Sequence, residues 1–138
     1  MKKIIMFVAI LFLLSACTQN IEVKEYLSTP EKSANFIWQC FNEQTSDCFY
    51  DVRTENIRAA CDSEDPNCKQ TFTMIKNMVI VTRGQDAFNE NNYLIEIESQ
   101  NETSAVASVF VPKDTSWPIK ITLEKEGDEW KNEQILIS

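Results

Sequence analysis

The apolar residues of this chain change period once, near Met78, and that switch narrows the folds open to it. Before it they recur at helical spacing. Ala34, Ile37, Trp38 and Phe41 fall at i, i+3, i+4 and i+7, one stripe of a helix. That helix starts at Thr29-Pro30, with Thr29 as N-cap and the proline at the first helical position, where its missing N–H costs nothing. Phe36 and Cys40 lie off the stripe, so the helix is expected to be covered on more than one side. A second helix is expected from about Asp51 to Cys61, with Ile57, Ala60 and Cys61 on one face. A third opens at Asp65-Pro66 by the same device and sets Thr71, Met74, Ile75 and Met78 at helical spacing. Methionines so placed would suit a ligand pocket, but core filling is their commoner use. Beyond Met78 the chain alternates. Residues 79–81, 93–98, 105–111, 119–123 and 130–137 read as five strands, and Glu126-Gly127-Asp128-Glu129 reads as a hairpin turn. Helices first and strands after predict an α+β domain, with N-terminal helices packed on one face of a curved antiparallel sheet of about five strands.

The N-terminus sets the bounds of that domain. Lys2 and Lys3 precede an unbroken apolar run from Ile4 to Leu14, which is too short to span a bilayer at about 20 residues and is followed by small residues. Residues 1–16 therefore read as a signal peptide. The segment Leu14-Ser15-Ala16-Cys17 resembles a bacterial lipobox, which implies cleavage before Cys17 and a diacylglycerol and an N-acyl chain on that residue. Two or more acyl chains make a stable membrane anchor. By resemblance to the sorting pattern of Gram-negative lipoproteins, Thr18 in place of an aspartate implies the outer membrane, facing the periplasm. Residues 17–28 then form a lipidated tether, whose polar stretch 18–27 spans at most about 35 Å. Residues 29–138 remain for a single α+β domain, with helices over 29–78 and sheet over 79–138.

Charge and residue inventory exclude several functions. Without residues 1–16 the chain carries 11 basic and 21 acidic residues, a net charge of −10, which argues against nucleic acid as a partner. It has no histidine, so a serine or cysteine nucleophile would lack its ordinary general base and no enzyme activity is expected. Glu96 and Glu98, at i and i+2 on a strand, sit where a solvated sheet face places them. The acidic stretch Asp62, Glu64, Asp65 lacks the ligand spacing of a calcium loop. Beyond the lipid on Cys17, no cofactor and no metal are expected.

Four more cysteines, Cys40, Cys48, Cys61 and Cys68, are even in number and lack the paired spacing and histidines of a zinc site. They read as two disulfides, with three connectivities open. A helix of about eleven residues is about 16 Å long, too far for Cys48 to reach Cys61 across it. Short loops between antiparallel neighbours favour Cys40 with Cys48 and Cys61 with Cys68.

Two resemblances extend this reading. Helices followed by a meander ending in a tryptophan-bearing strand resemble, by pattern alone, the cystatin and NTF2-like domains, which implies a small ligand or peptide held on the concave side of the sheet. In the first half, Val23-Lys-Glu-Tyr26-Leu27-Ser-Thr-Pro30-Glu31, a helix ending in Cys40, and Asp65-Pro66-Asn67-Cys68 resemble the EexN-like entry-exclusion lipoproteins of conjugative plasmids. That resemblance covers residues 17–68. It implies a recipient-side protein that hampers uptake of a related plasmid by interfering with the incoming type IV transfer apparatus. It also implies that the family's motif cysteines correspond to Cys40 and Cys68, and that Tyr26, Leu27, Asp65, Pro66 and Asn67 meet the partner. Cys48, Cys61 and the strands after residue 78 lie outside the family pattern.

Overall fold

The computed structural model describes residues 24–61 and 65–138. The signal segment, Cys17, most of the tether, Asp62 and Glu64 lie outside the described residues. The described residues open with a 3-10 turn at Glu25–Leu27, inside the stretch expected to be tether. Leu27 is fully buried, so the folded body starts before residue 29.

Helix α1 (Pro30–Cys40) forms as its sequence dictates: Thr29 Oγ1 accepts from the N–H of Lys32 at 3.3 Å, and Pro30 takes the first helical position. Ala34, Ile37, Trp38 and Phe41 are all fully buried. The off-stripe residues are covered too, Phe36 by the Tyr26 ring at 4.1 Å and Cys40 by its disulfide to Cys48. Of the second helix expected over 51–61, only Glu55–Ala60 forms (α3); an unexpected short helix, α2 (Asp47–Asp51), ends at its expected start, and Val52–Thr54 separates the two. Helix α4 (Pro66–Arg83) starts where expected, with Asp65 Oδ1 accepting from the Asn67 N–H at 2.8 Å.

Two expectations for α4 are corrected. Val79-Ile80-Val81 is helical, followed in the same helix by Thr82 and Arg83, and not a strand. Extending an existing helix needs no new nucleus, and a β-branched residue costs at most about 0.7 kcal/mol there. The helix ends only at Gly84, whose φ of +100° suits glycine and whose N–H donates to Ile80 O at 2.8 Å. The buried face is also different. Cys68, Phe72 and Val79 are buried and Ile75 partly so, whereas Met74 and Met78 are 54% and 44% exposed. Cys68 is held by Cys61, and Phe72 enters an aromatic cluster with ring centroids 5.2 Å from Phe41 and 5.8 Å from Phe49. A ring buries more surface than a thioether, so it sets the helix's rotation.

The sheet has four strands in the order β1-β2-β3-β4, all antiparallel: β1 (Leu94–Gln100), β2 (Ser104–Phe110), β3 (Ile119–Glu126) and β4 (Glu129–Leu136). Gly127, at φ +62°, supplies the positive φ of the β3–β4 turn. On the inner face lie Ala105, Ala107 and Val109 of β2, Ile119, Ile121 and Leu123 of β3, and Trp130 of β4, all buried. Helix α1 packs on this face and touches each of the four strands. The molecule is therefore an α+β fold with an open antiparallel sheet covered on one side.

Candidate interaction surface

The alternation that buries one side of the sheet presents the other. Strand pairing sets Leu94 opposite Phe110, Glu96 opposite Ser108, Ser108 opposite Lys120, and Lys120 opposite Leu136. Large apolar side chains therefore gather at one end of the outer face. Leu94 is 44% exposed, Leu136 43%, and Trp117, in the loop leading into β3, 69%. Phe110 lies half-buried between them. Arg83 at the end of α4 holds that loop, its Nη2 donating to Trp117 O at 2.7 Å. The loop borders a shallow hollow of about 400 Å³, lined by Glu96, Glu98, Ser108, Phe110, Pro118 and Lys120.

A charged latch crosses the hollow. Glu98 Oε2 accepts from Ser108 Oγ at 3.0 Å, and Lys120 Nζ lies 2.9 Å from the same carboxylate. Donation from Lys120 first, then from Ser108, lowers the Glu98 pKa below the ordinary carboxylate value. Glu98 marks an irregularity in β1, since the register shifts between Ile97 and Ser99. Glu96 has no hydrogen-bond or ion-pair partner among the described residues.

The inner side is filled. Trp38 packs at 5.0 Å from Phe88 and 6.1 Å from Tyr93, and its Nε1 donates to Ala87 O at 3.2 Å. Tyr93 O–H donates to Asn35 Oδ1 at 2.8 Å and accepts from Gln39. Burial raises its pKa, partly offset by the Gln39 hydrogen bond.

The residues picked out by motif divide differently. Tyr26 is exposed on one face and stacks on Phe36 with the other, while Leu27 belongs to the core. Asp65 caps α4, and Pro66 and Asn67 form its exposed first turn. No hydrogen bond, ion pair or ring contact among the described residues joins Tyr26 to Asp65–Asn67. The cysteines pair as Cys40–Cys48 and Cys61–Cys68, the sequential arrangement, and not as Cys40 with Cys68.

Sequence reasoning passed over the outer face, although a signal was present. Residues 105–111 are apolar at both parities except for Ser108, with Val106 and Phe110 off the buried set. Among the described residues no group of three or more His, Cys, Asp or Glu side chains is placed to hold a metal, and no helix is long and apolar enough to cross a membrane. Compared with protein-family models, with curated proteins and with solved structures, the chain matches none.

Proposed function

We propose that this chain is a lipid-anchored, non-enzymatic interaction module of the bacterial envelope, whose leading role is exclusion of incoming conjugative plasmids by contact with a type IV transfer apparatus. The anchor is proposed on Leu14-Ser15-Ala16-Cys17, and the role on the Tyr26–Pro30 and Asp65–Cys68 motifs. The observation that best supports an interaction module is the exposed apolar end of the outer sheet face, Leu94, Trp117 and Leu136, on a small and strongly acidic domain. Large apolar side chains left exposed at one end of a sheet face are the kind of surface that contact sites use. The cystatin-like or NTF2-like reading, with a ligand on the sheet's concave side, is less well supported, since α1 and its aromatic residues fill the inner face.

Expression of the protein in a recipient should lower conjugation of a related type IV system and leave an unrelated one untouched. Cys17→Ser should abolish the effect by releasing the domain from the membrane. Trp117→Ala, at an exposed position, should leave the fold intact and weaken exclusion, because loss of a tryptophan anchor costs about 2 kcal/mol or more of partner affinity, roughly 30-fold. Equal transfer into recipients with and without the protein, across several related plasmids, removes this reading.

A further inference from the structure

The two edges of the sheet are finished differently. At the β4 edge, the segment between α2 and α3 lies alongside as a short parallel bridge: Asn132 N–H donates to Val52 O at 2.7 Å, and Thr54 N–H donates to Asn132 O at 2.9 Å. Arg53 Nη2 adds a bond to Glu133 O at 3.0 Å. At the β1 edge no described segment pairs, and the strand's outward N–H and C=O groups remain open along seven residues. Ile95 and Ile97 are only half-buried there, although they face the core side opposite Val109 and Ala107. β1 contains neither proline nor lysine; its guards are the charges of Glu96 and Glu98, which a basic strand would not oppose, and a register irregularity between Ile97 and Ser99, which leaves 94–97 regular.

The strand's charge says what could pair with it. In the fully overlapping antiparallel register, two copies of β1 would set Glu96 of each opposite Glu98 of the other. Like charges directly opposite are unfavourable, so a second copy is a poor occupant. A strand with basic side chains on the face of Glu96 and apolar ones opposite Ile95 and Ile97 meets none of these objections. The chain's net charge of −8 favours such a partner in the same direction.

Resting on the interaction-module reading above, we infer that β1 is the docking edge, and that it takes an extended segment of a partner protein, with alternating basic and apolar residues, as a fifth antiparallel strand. Main-chain hydrogen bonds provide the attachment and Glu96 selects the charge. The added strand widens the outer face beside Leu94 and covers the half-exposed row of Ile95 and Ile97.

The test is a titration of the full folded chain, isotope-labelled, with a blocked peptide of alternating valine and lysine matched to β1 in length. Its controls are a shuffled peptide of the same composition and one N-methylated at alternate residues. Binding should shift and protect the amides of 94–97 that do not bond to β2, should fail with the N-methylated peptide, and should weaken on the order of fivefold in Glu96→Lys. Equal binding of the shuffled peptide, or unaltered 94–97 amides, overturns the proposal. So does protection of those outward amides without peptide, since the edge would then already be paired. The conjugation assay separates the two claims. If the wild type excludes plasmids and Glu96→Lys excludes equally, the edge proposal falls and the interaction reading stands. A wild type that excludes nothing removes that reading, while the peptide titration still decides the edge.

Discussion

Helices α1 and α4 both begin with a capping side chain followed by proline, yet they hold to the molecule by different means. α1 is 11 residues long and buries its whole apolar stripe against all four strands. α4 is 18 residues long, and only Cys68, Phe72 and Val79 are buried on it. Length and propensity make a helix, but the number of large side chains it buries decides how firmly it is seated. The longer helix is secured mainly by one aromatic ring, one disulfide and one valine.

The sharpest test of that difference is truncation of the principal ring on each. Trp38→Ala removes a fully buried indole that packs on three other rings and donates to Ala87 O. It should cost about 5 kcal/mol, enough to unfold a domain of marginal stability. Phe72→Ala should cost about 3 kcal/mol and should loosen α4 before the sheet, visible as earlier hydrogen exchange over 66–83 than over 104–126. Equal losses with a single cooperative transition would show that α4 is seated as firmly as α1.

The two helices also differ in how far their sequence foretold them. For α1, the stripe, the cap and the proline coincide, and the observed helix follows all three. For α4 the start was legible from Asp65-Pro66, whereas its end and rotation were not. Val79-Ile80-Val81 reads as a strand on composition, and only the cooperativity of a helix already formed, ending at Gly84, outweighs it. The rotation depends on Phe72 meeting Phe41 and Phe49, a contact between segments distant in sequence that no local period encodes. Four strands were legible to within three residues at each end, because alternation and the Gly127 turn act locally. The apolar end of the outer face was not, because only strand register pairs Leu94 with Phe110 and brings Leu136 of the far edge strand to the same end of the sheet. The motif residues carried a similar ambiguity: Leu27, read as facing a partner, completes the core.

The disulfides offer a second contrast. Cys40–Cys48 closes a separation of eight residues at the end of α1, and Cys61–Cys68 one of seven across the start of α4. Loop-closure entropy alone gives each about 2.5 kcal/mol. The consequences should nevertheless differ in place. Replacing Cys61 and Cys68 together by alanine should lower global stability by about that amount and raise exchange in α3 and the first turns of α4. Replacing Cys40 and Cys48 should lower it by about as much, since Cys40 and Cys68 are both buried, but should raise exchange at the end of α1 and in α2 instead. Denaturant midpoints of the two double variants, measured at equal m-value, check that the losses match, and exchange checks where they fall.

The smallest expected effect bears most directly on the rotation of α4. Met74 and Met78 occupy the stripe that helical spacing would send inward, and the structure turns both outward. Were they core residues, Met74→Ser with Met78→Ser would open cavities and bury two unpaired hydroxyls, at a cost of several kcal/mol. Exposed as they are, the pair should cost no more than about 1 kcal/mol in total, most of it from helix propensity. Ile75→Ser, one residue from Met74 but turned toward the core, should cost clearly more than either methionine alone. A double methionine variant that destabilises as strongly as Phe72→Ala would place the buried face of α4 on the methionine stripe, and would move Phe72 out of the aromatic cluster that fixes the helix in place.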